Sequence, residues 1–420
     1  MNITKILKSI DLAPSKEKLK YLKANTKEII RIINEKIRQN KIKADVFVGG
    51  SFAKNTLVNR ENYDIDIFVR FDWKYKDLSS LLERIVRKFP KEFKIERIHG
   101  SRDYFRFNKN NINFELIPVI KIKTPKEAKN VTDLSYFHVN YVKRKLKSDL
   151  AKEVLIMKQF CEAQGVYGAE SYIRGFSGYA SECLIIYYKG FQKMANEIIK
   201  VKDRIIIDPE KKFKKKEDAL IELNESKLNN PIILIDPTWK ERNVLAALSR
   251  EAFDKFQESL KNFIKRPSAE FFKIKEINGD EIKNISNKNR AEFLHLIIET
   301  DRQEGDIAGT KMKKFSSFLS NQIEKYFEII GKEFSYKEGK KADFFLAVKS
   351  RKEIDKIGPP SNMKDHAEQF KKKNKVFFIK NGVFHVKIKI NFTAKTFLKT
   401  WRNNYKSKMK DMGIINFEIK

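Results

Sequence analysis

Asp64 and Asp66 stand one residue apart in the run Asp64-Ile65-Asp66-Ile67-Phe68. In an extended strand, residues two apart share a face, so the carboxylates project together while Ile65 and Ile67 point the other way. Paired carboxylates repel, and each is driven towards protonation unless a cation sits between them. Magnesium, which takes oxygen ligands, resolves that conflict. Upstream lies Gly49-Gly50-Ser51-Phe52-Ala53-Lys54-Asn55-Thr56. A glycine turn opening a helix offers backbone N–H groups to phosphate, and Ser51 adds a hydroxyl. Either motif alone is ordinary. In the order strand, GGS turn, helix and DxD strand, they describe a cradle for a metal-bound nucleoside triphosphate. Two metals about 4 Å apart need a third carboxylate. Glu115 is the candidate, because in Ile112-Asn113-Phe114-Glu115-Leu116-Ile117-Pro118 it alternates with apolar neighbours. An acid there is costly unless paired or metal-bound; the plain alternative is an edge-strand acid facing water.

The elements that must position these residues follow from periodicity. Leu19, Leu22, Ile29, Ile30, Ile33 and Ile37 recur at helical spacing between lysines, predicting a basic amphipathic helix over 15–40. Val46–Val48 reads as a strand entering the GGS turn, and Ile65–Phe71 as the DxD strand. A helix over Leu78–Phe89 stops at Pro90, and strand-like pieces at Phe93–Ile98, Tyr104–Phe107 and Ile112–Ile120 complete a mixed α/β unit. Residues 148–200 turn helical. Ile232–Ile235 predicts a strand leading into Asp236-Pro237, and a helix is expected over Val244–Phe263. Beyond Pro267, a helix at Lys311–Ile330 and strands at Asp343–Val348, Val376–Ile379 and Val383–Ile390 suggest an α+β domain. The tracts Lys211–Lys216 and Lys371–Lys375 read as solvated loops.

The chain's 420 residues carry 88 basic and 55 acidic side chains, a formal charge of +33. Such a surplus suits a polyanion, since neutralising phosphates releases condensed counterions. A generally lysine-rich composition explains it equally well, so charge alone does not establish RNA binding. With 41% hydrophobic residues, disorder is excluded as the main state. Two cysteines, Cys161 and Cys183, exclude a disulfide scaffold and a four-thiolate zinc site. There is no membrane-length apolar run and no basic-then-apolar leader in the first ten residues, so a soluble, cytoplasmic protein without a membrane partner is expected.

GGSFAKNT followed by the DID strand resembles the polymerase-β-like nucleotidyltransferase superfamily. Within it, the chain is similar to the archaeal-type (class I) CCA-adding enzymes, the tRNA nucleotidyltransferases. Further motifs in the family's order are Ser135-Tyr136-Phe137-His138, Lys158, Gly165-Val166-Tyr167-Gly168-Ala169-Glu170, Arg174-Gly175-Phe176-Ser177-Gly178-Tyr179 and Asp236-Pro237…Arg242-Asn243-Val244. The match spans about residues 45 to 250; beyond Pro267 only Pro267-Ser268…Phe271-Phe272 and Ile357-Gly358-Pro359 follow it loosely. The resemblance implies an α+β fold with a polymerase-β-like catalytic palm over 1–145, a helical nucleotide-binding neck over 146–266, and a tRNA-binding α+β body with a helical tail over 267–420. It implies magnesium held by Asp64, Asp66 and Glu115. The nucleotide would be met by Gly50, Ser51, Lys54, Ser135, His138, Lys158 and Tyr167, with Arg242 at the base pocket. It also implies tRNA, CTP and ATP as partners, and often a homodimer. Two departures stand out: Glu115 replaces the family's usual Asp, and Ser135 its common Thr.

The expected reaction is template-independent addition of C, C and A to the tRNA 3′ end, by in-line attack of the terminal 3′-OH on the α-phosphate with release of pyrophosphate. One rival within the superfamily is a poly(A) polymerase or oligoadenylate-type synthase. A rival of another class is a non-catalytic RNA-binding protein on the same fold. The unfavourable Asp64–Asp66 pairing argues against the second, because a scaffold has no use for it.

Overall fold

The computed structural model describes residues 3–223 and 229–420, and the chain divides into two compact units at Lys275/Glu276. In the first unit come α1 (Ile3–Ser9), α2 (Lys16–Gln39), β1 (Ala44–Val48), α3 (Gly50–Ala53), β2 (Tyr63–Phe71), α4 (Leu78–Val86), β3 (Glu96–Ile98), β4 (Tyr104–Lys109) and β5 (Ile112–Ile120). The helical part follows with α5 (Ser135–Lys145), α6 (Ser148–Ala163), α7 (Gly178–Tyr188), α8 (Phe191–Ile198), β6 (Ile205–Ile207), α9 (Ala219–Glu222), β7 (Ile232–Leu234) and α10 (Arg250–Lys265).

The predicted amphipathic helix is α2, which Ser15 caps by accepting the Lys18 N–H at 3.1 Å. Its buried stripe, including Ile29, Ile33 and Ile37, covers one face of a five-stranded sheet ordered β1-β2-β5-β4-β3. The alternation of β2 explains that geometry. Tyr63, Ile65, Ile67, Val69 and Phe71 are fully buried towards α2 and α4, so Asp64, Asp66, Phe68 and Arg70 line the opposite face. β2 and β5 are parallel, while β1–β2, β4–β5 and β3–β4 are antiparallel.

α6 and α7 are buried nearly all round, from Val154 to Cys161 and from Ala180 to Ile186, which makes them the interior of the helical part. The helix expected over Val244–Phe263 begins only at Arg250. Ser249 caps it, and Asn243 Oδ1 accepts the Leu234 and Leu245 N–H groups, holding 243–248 in turns.

The second unit comprises α11 (Asp280–Asn289), β8 (Glu292–Glu299), α12 (Asp306–Ile323), β9 (Phe327–Ser335), β10 (Lys341–Ser350), β11 (Glu353–Pro360), α13 (Lys364–Lys373), β12 (Phe378–Lys380), β13 (Val383–Lys389), α14 (Ala394–Asn404), α15 (Lys406–Asp411) and β14 (Asn416–Ile419). Its antiparallel sheet is ordered β14-β8-β10-β9, with a smaller sheet β11-β13-β12. Phe344, Leu346 and Val348 pack with α12 and α14, whereas Phe345 and Ala347 meet Ile282 of α11. The helix expected over Lys311–Ile330 stops at Ile323. Phe327, Ile329 and Ile330 satisfy either period, and pairing with β10 draws them into β9. Lys371–Lys373 form the last turn of α13, where cations suit the helix C-terminus, so that tract is not the loop expected. After the tail helices α14 and α15 the chain returns to the sheet edge as β14.

Candidate active site

The glycines of the turn after β1 make room for side chains of β2. A Cβ on Gly49 would fall 2.2 Å from the Phe68 ring, and one on Gly50 would fall 1.7 Å from Asp66 Oδ2. Gly50 also has φ +59°, a left-handed conformation costly for other residues. The turn therefore lies directly on the Asp66 carboxylate, and the Gly49 N–H donates to the Asp66 carbonyl at 2.8 Å. Ser51 follows in the single helical turn α3, half-buried.

On the neighbouring strand, Glu115 stands in register with Asp66, and Asn113 with Asp64. Three acids thus occupy adjacent positions of one sheet face. Asn113 Nδ2 donates to Asp64 Oδ1 at 3.1 Å. Burial first, then the charges of Glu115 and Asp64, push the Asp66 carboxyl up to about 7, with Lys54 pulling the other way. Burial also raises Glu115, Asp64 adding to it and Arg106 opposing. Among the described residues no side chain hydrogen-bonds or ion-pairs with Asp66. Hard oxygen donors left in mutual repulsion fit a divalent cation. Even so, among the described residues no three acidic, histidine or cysteine side chains converge enough to surround one ion. Glu115 Oε1 instead accepts from Arg106 Nε at 3.1 Å and Nη2 at 2.8 Å.

Behind the turn, Lys54 Nζ lies 2.6 Å from Glu182 Oε2, and Thr56 Oγ1 donates to Glu182 Oε1 at 2.6 Å. Lys158 Nζ donates to the Thr56 carbonyl at 2.9 Å and lies 3.4 Å from Glu182 Oε1. Gly178, at the start of α7, leaves space for the Tyr167 hydroxyl and the Lys158 stem, 3.1 and 3.7 Å from where its Cβ would be. Burial pushes the Tyr167 phenol up, so it stays protonated.

A second hub is Asp236, fully buried after β7. Its Oδ2 meets His138 Nε2 at 3.0 Å and Arg242 Nη1 at 2.7 Å, and its Oδ1 accepts from Tyr179 Oη at 3.1 Å and Thr238 Oγ1 at 2.7 Å. Burial pulls the Asp236 carboxyl upward, but these partners outweigh it and hold it well below the usual carboxylate range. Burial lowers the His138 imidazole despite Asp236, so it is neutral at neutral pH. The His138 ring stacks on Tyr179 with centroids 3.9 Å apart, and Lys54 Nζ sits 5.9 Å over the same Tyr179 ring. One chain of contacts therefore joins Glu182, Lys54, Tyr179, His138, Asp236 and Arg242. Ser135, half-buried at the first position of α5, shares a helix with His138.

Sequence reasoning missed two of these residues as site members. Glu182 sits inside Ala180-Ser181-Glu182-Cys183-Leu184-Ile185-Ile186, the same sign of a costly acid that singled out Glu115. Asp236 was visible as part of an Asp-Pro turn and of the Asp236-Pro237…Arg242 motif, but was given no role in the site.

A parallel strand pair carrying three aligned acids, faced by a glycine turn and backed by buried lysines, defines a nucleotidyltransferase. A family model described as "tRNA nucleotidyltransferase, second domain" matches residues 152–273, and one described as "Second Messenger Oligonucleotide or Dinucleotide Synthetase domain" matches residues 1–135. The chain is 34% identical over 339 residues to the CCA-adding enzyme of Nanoarchaeum equitans, covering 80% of this chain and 81% of that one. It is 30% identical over 398 residues to the CCA-adding enzyme of Methanocaldococcus jannaschii, covering 91% and 86%. It belongs to the family of archaeal CCA-adding enzymes, the tRNA nucleotidyltransferases. A solved structure described as a cytoplasmic RNA terminal U-transferase aligns over 66% of this chain and 98% of that one, with TM-score 0.49 and 11% identity. Nucleotidyltransferases of this kind generally use divalent metal ions. No described helix is long and apolar enough to cross a membrane.

Proposed function

We propose that this protein adds C, C and A to the 3′ end of tRNA from CTP and ATP, without a nucleic-acid template and with release of pyrophosphate. The observation that carries the reading is the register of Asp66 with Glu115 on parallel strands, one rung from Asp64, beneath a turn that admits only glycine at position 50. Asp64, Asp66 and Glu115 would hold magnesium, with Glu115 exchanging Arg106 for the cation. The Arg106 side chain is 44% exposed, so on release it can turn to solvent, while the cation takes over the charge of the less exposed Glu115. Bound there, magnesium would neutralise phosphate charge and lower the pKa of the attacking 3′-hydroxyl.

The chain's own groups do the rest. The backbone around Gly50 and the Ser51 hydroxyl face the triphosphate. Lys54, with Lys158 and Tyr167 behind it, supplies cationic and hydroxyl donors, and Ser135 and neutral His138 stand near the sugar or phosphates. Arg242 offers its remaining guanidinium donors to the acceptor atoms of the base, while Asp236 fixes its orientation.

Separate-nucleotide extension of tRNA lacking its 3′ CCA tests the proposal. With CTP alone the product should grow by two residues and stop, and ATP added afterwards should complete it with one. A ladder that runs on with ATP alone would mark a tailing enzyme instead. No incorporation of either nucleotide would mark a binding protein.

A further inference from the structure

Each of the two helices buried all round carries an ionisable group in its interior: Lys158 on α6 is 2% exposed, and Glu182 on α7 is 0% exposed. They meet each other together with two groups of the phosphate-binding segment. One carboxylate thus takes the Lys54 ammonium, the Thr56 hydroxyl and the Lys158 ammonium, at 2.6, 2.6 and 3.4 Å. Lys54 and Thr56 lie three and five residues past Ser51, so the carboxylate ties the turn to the helical interior. A buried ammonium without a counter-charge goes neutral rather than stay charged away from water. Burial pulls Lys158 down from its ordinary value, Lys54 adds to that, and Glu182 and Asp66 oppose it. The Glu182 carboxyl is itself held below its usual range, its two lysines outweighing burial.

We propose that Glu182 is a positioning residue for nucleotide binding: by pairing with Lys54 and Lys158 together, it holds both side chains in place beside the Gly49–Ser51 turn, ready for the incoming triphosphate. The inference rests on the reading of Lys54 and Lys158 as triphosphate contacts. Removing a negative charge would by itself favour an anion. Here that gain is cancelled, because without Glu182 the buried Lys158 gives up its proton, and net charge is unchanged while a donor is lost. The groups facing Lys158 are Glu182 from α7, Lys54 and Thr56 from the segment after the turn, and Asp66 from β2.

The test is equilibrium binding of CTP and of CMP to the full chain at pH 6.5 and 8.5. Glu182→Gln should weaken CTP about tenfold or more at pH 8.5, as the loss of one hydrogen bond from a charged donor would. It should recover most of that at pH 6.5 and leave CMP within about twofold of the parent. Unchanged CTP affinity at pH 8.5, or equal loss of CTP and CMP, overturns the proposal. Should Glu182→Gln not fold, Thr56→Val decides, since it removes one Glu182 hydrogen bond and keeps the β-branched shape. It should cost CTP about threefold and CMP nothing, and no CTP loss overturns the proposal. Lys54→Met separates the two readings. If it leaves CTP affinity intact, the triphosphate assignment itself fails. If it weakens CTP while Glu182→Gln does not, only the role of Glu182 falls.

Discussion

Replacing Asp66 with asparagine should stabilise the metal-free protein while removing its chemistry. The folded chain raises this carboxyl from 3.8 to about 7, through burial first and then through Glu115 and Asp64. The folded state therefore binds the proton more tightly than the unfolded state, and stability falls as pH rises from about 4 to 7. At roughly 1.4 kcal/mol per pH unit the full displacement is about 4 kcal/mol at pH 8, and solvent reaching the partly exposed carboxylate trims it to about 2–4 kcal/mol. The neutral amide of the variant escapes that cost. Calorimetry without metal should place the unfolding of the Asp66→Asn variant about 3–7 °C above the parent at pH 8, with the gap closing near pH 4. Added magnesium should raise the parent's transition and leave the variant's in place. A variant that melts at or below the parent at pH 8, or a gap independent of pH, refutes the reasoning that Asp66 is crowded by two further acids with no cationic side chain paired to it.

Other perturbations follow from the same geometry. Gly50→Ala puts a Cβ 1.7 Å from Asp66 Oδ2, so kcat for CTP incorporation should fall roughly hundredfold while tRNA affinity holds; an active Ala variant contradicts the close approach. Asp236→Asn removes the charge that orients Arg242, His138 and Tyr179. It should cost about 2–4 kcal/mol in denaturant unfolding at pH 7 and relax discrimination against UTP and GTP, and unaltered nucleotide choice would detach Arg242 from the base. Raising salt should weaken tRNA binding steeply, since 88 basic side chains stand against 55 acidic ones; a flat response would assign the surplus to composition alone.

What the sequence revealed, and what it hid, follow from the range of the interactions involved. The strand over 112–120 was legible because Ile112, Phe114 and Leu116 alternate with polar partners, and the helix over 16–39 because its apolar stripe runs between Ser15 and Asn40. The shared face of Asp64 and Asp66 was legible for the same reason, since a one-residue spacing fixes it, whereas Glu115 stood out only as an acid among apolar neighbours. Glu182 and Asp236 were not, because what makes them matter is partners 126 and 98 residues away, Thr56 and His138. The Glu115–Arg106 pair was hidden too: β4 reaches Glu115 only through sheet pairing. The end of α12 failed where apolar residues fit helix and strand alike and sheet pairing chose between them, and the start of α10 where the Asn243 side chain holds the preceding residues in turns.

The most direct measurement is single-turnover incorporation of labelled CTP into tRNA lacking its 3′ CCA, with magnesium varied from none to saturating, for the parent and for Asp64→Asn, Asp66→Asn and Glu115→Gln. The parent should incorporate only with metal, and each variant should lose at least about a thousandfold in rate while still binding tRNA. Normal extension by the Asp66→Asn variant, or by the parent without any divalent cation, would contradict the account.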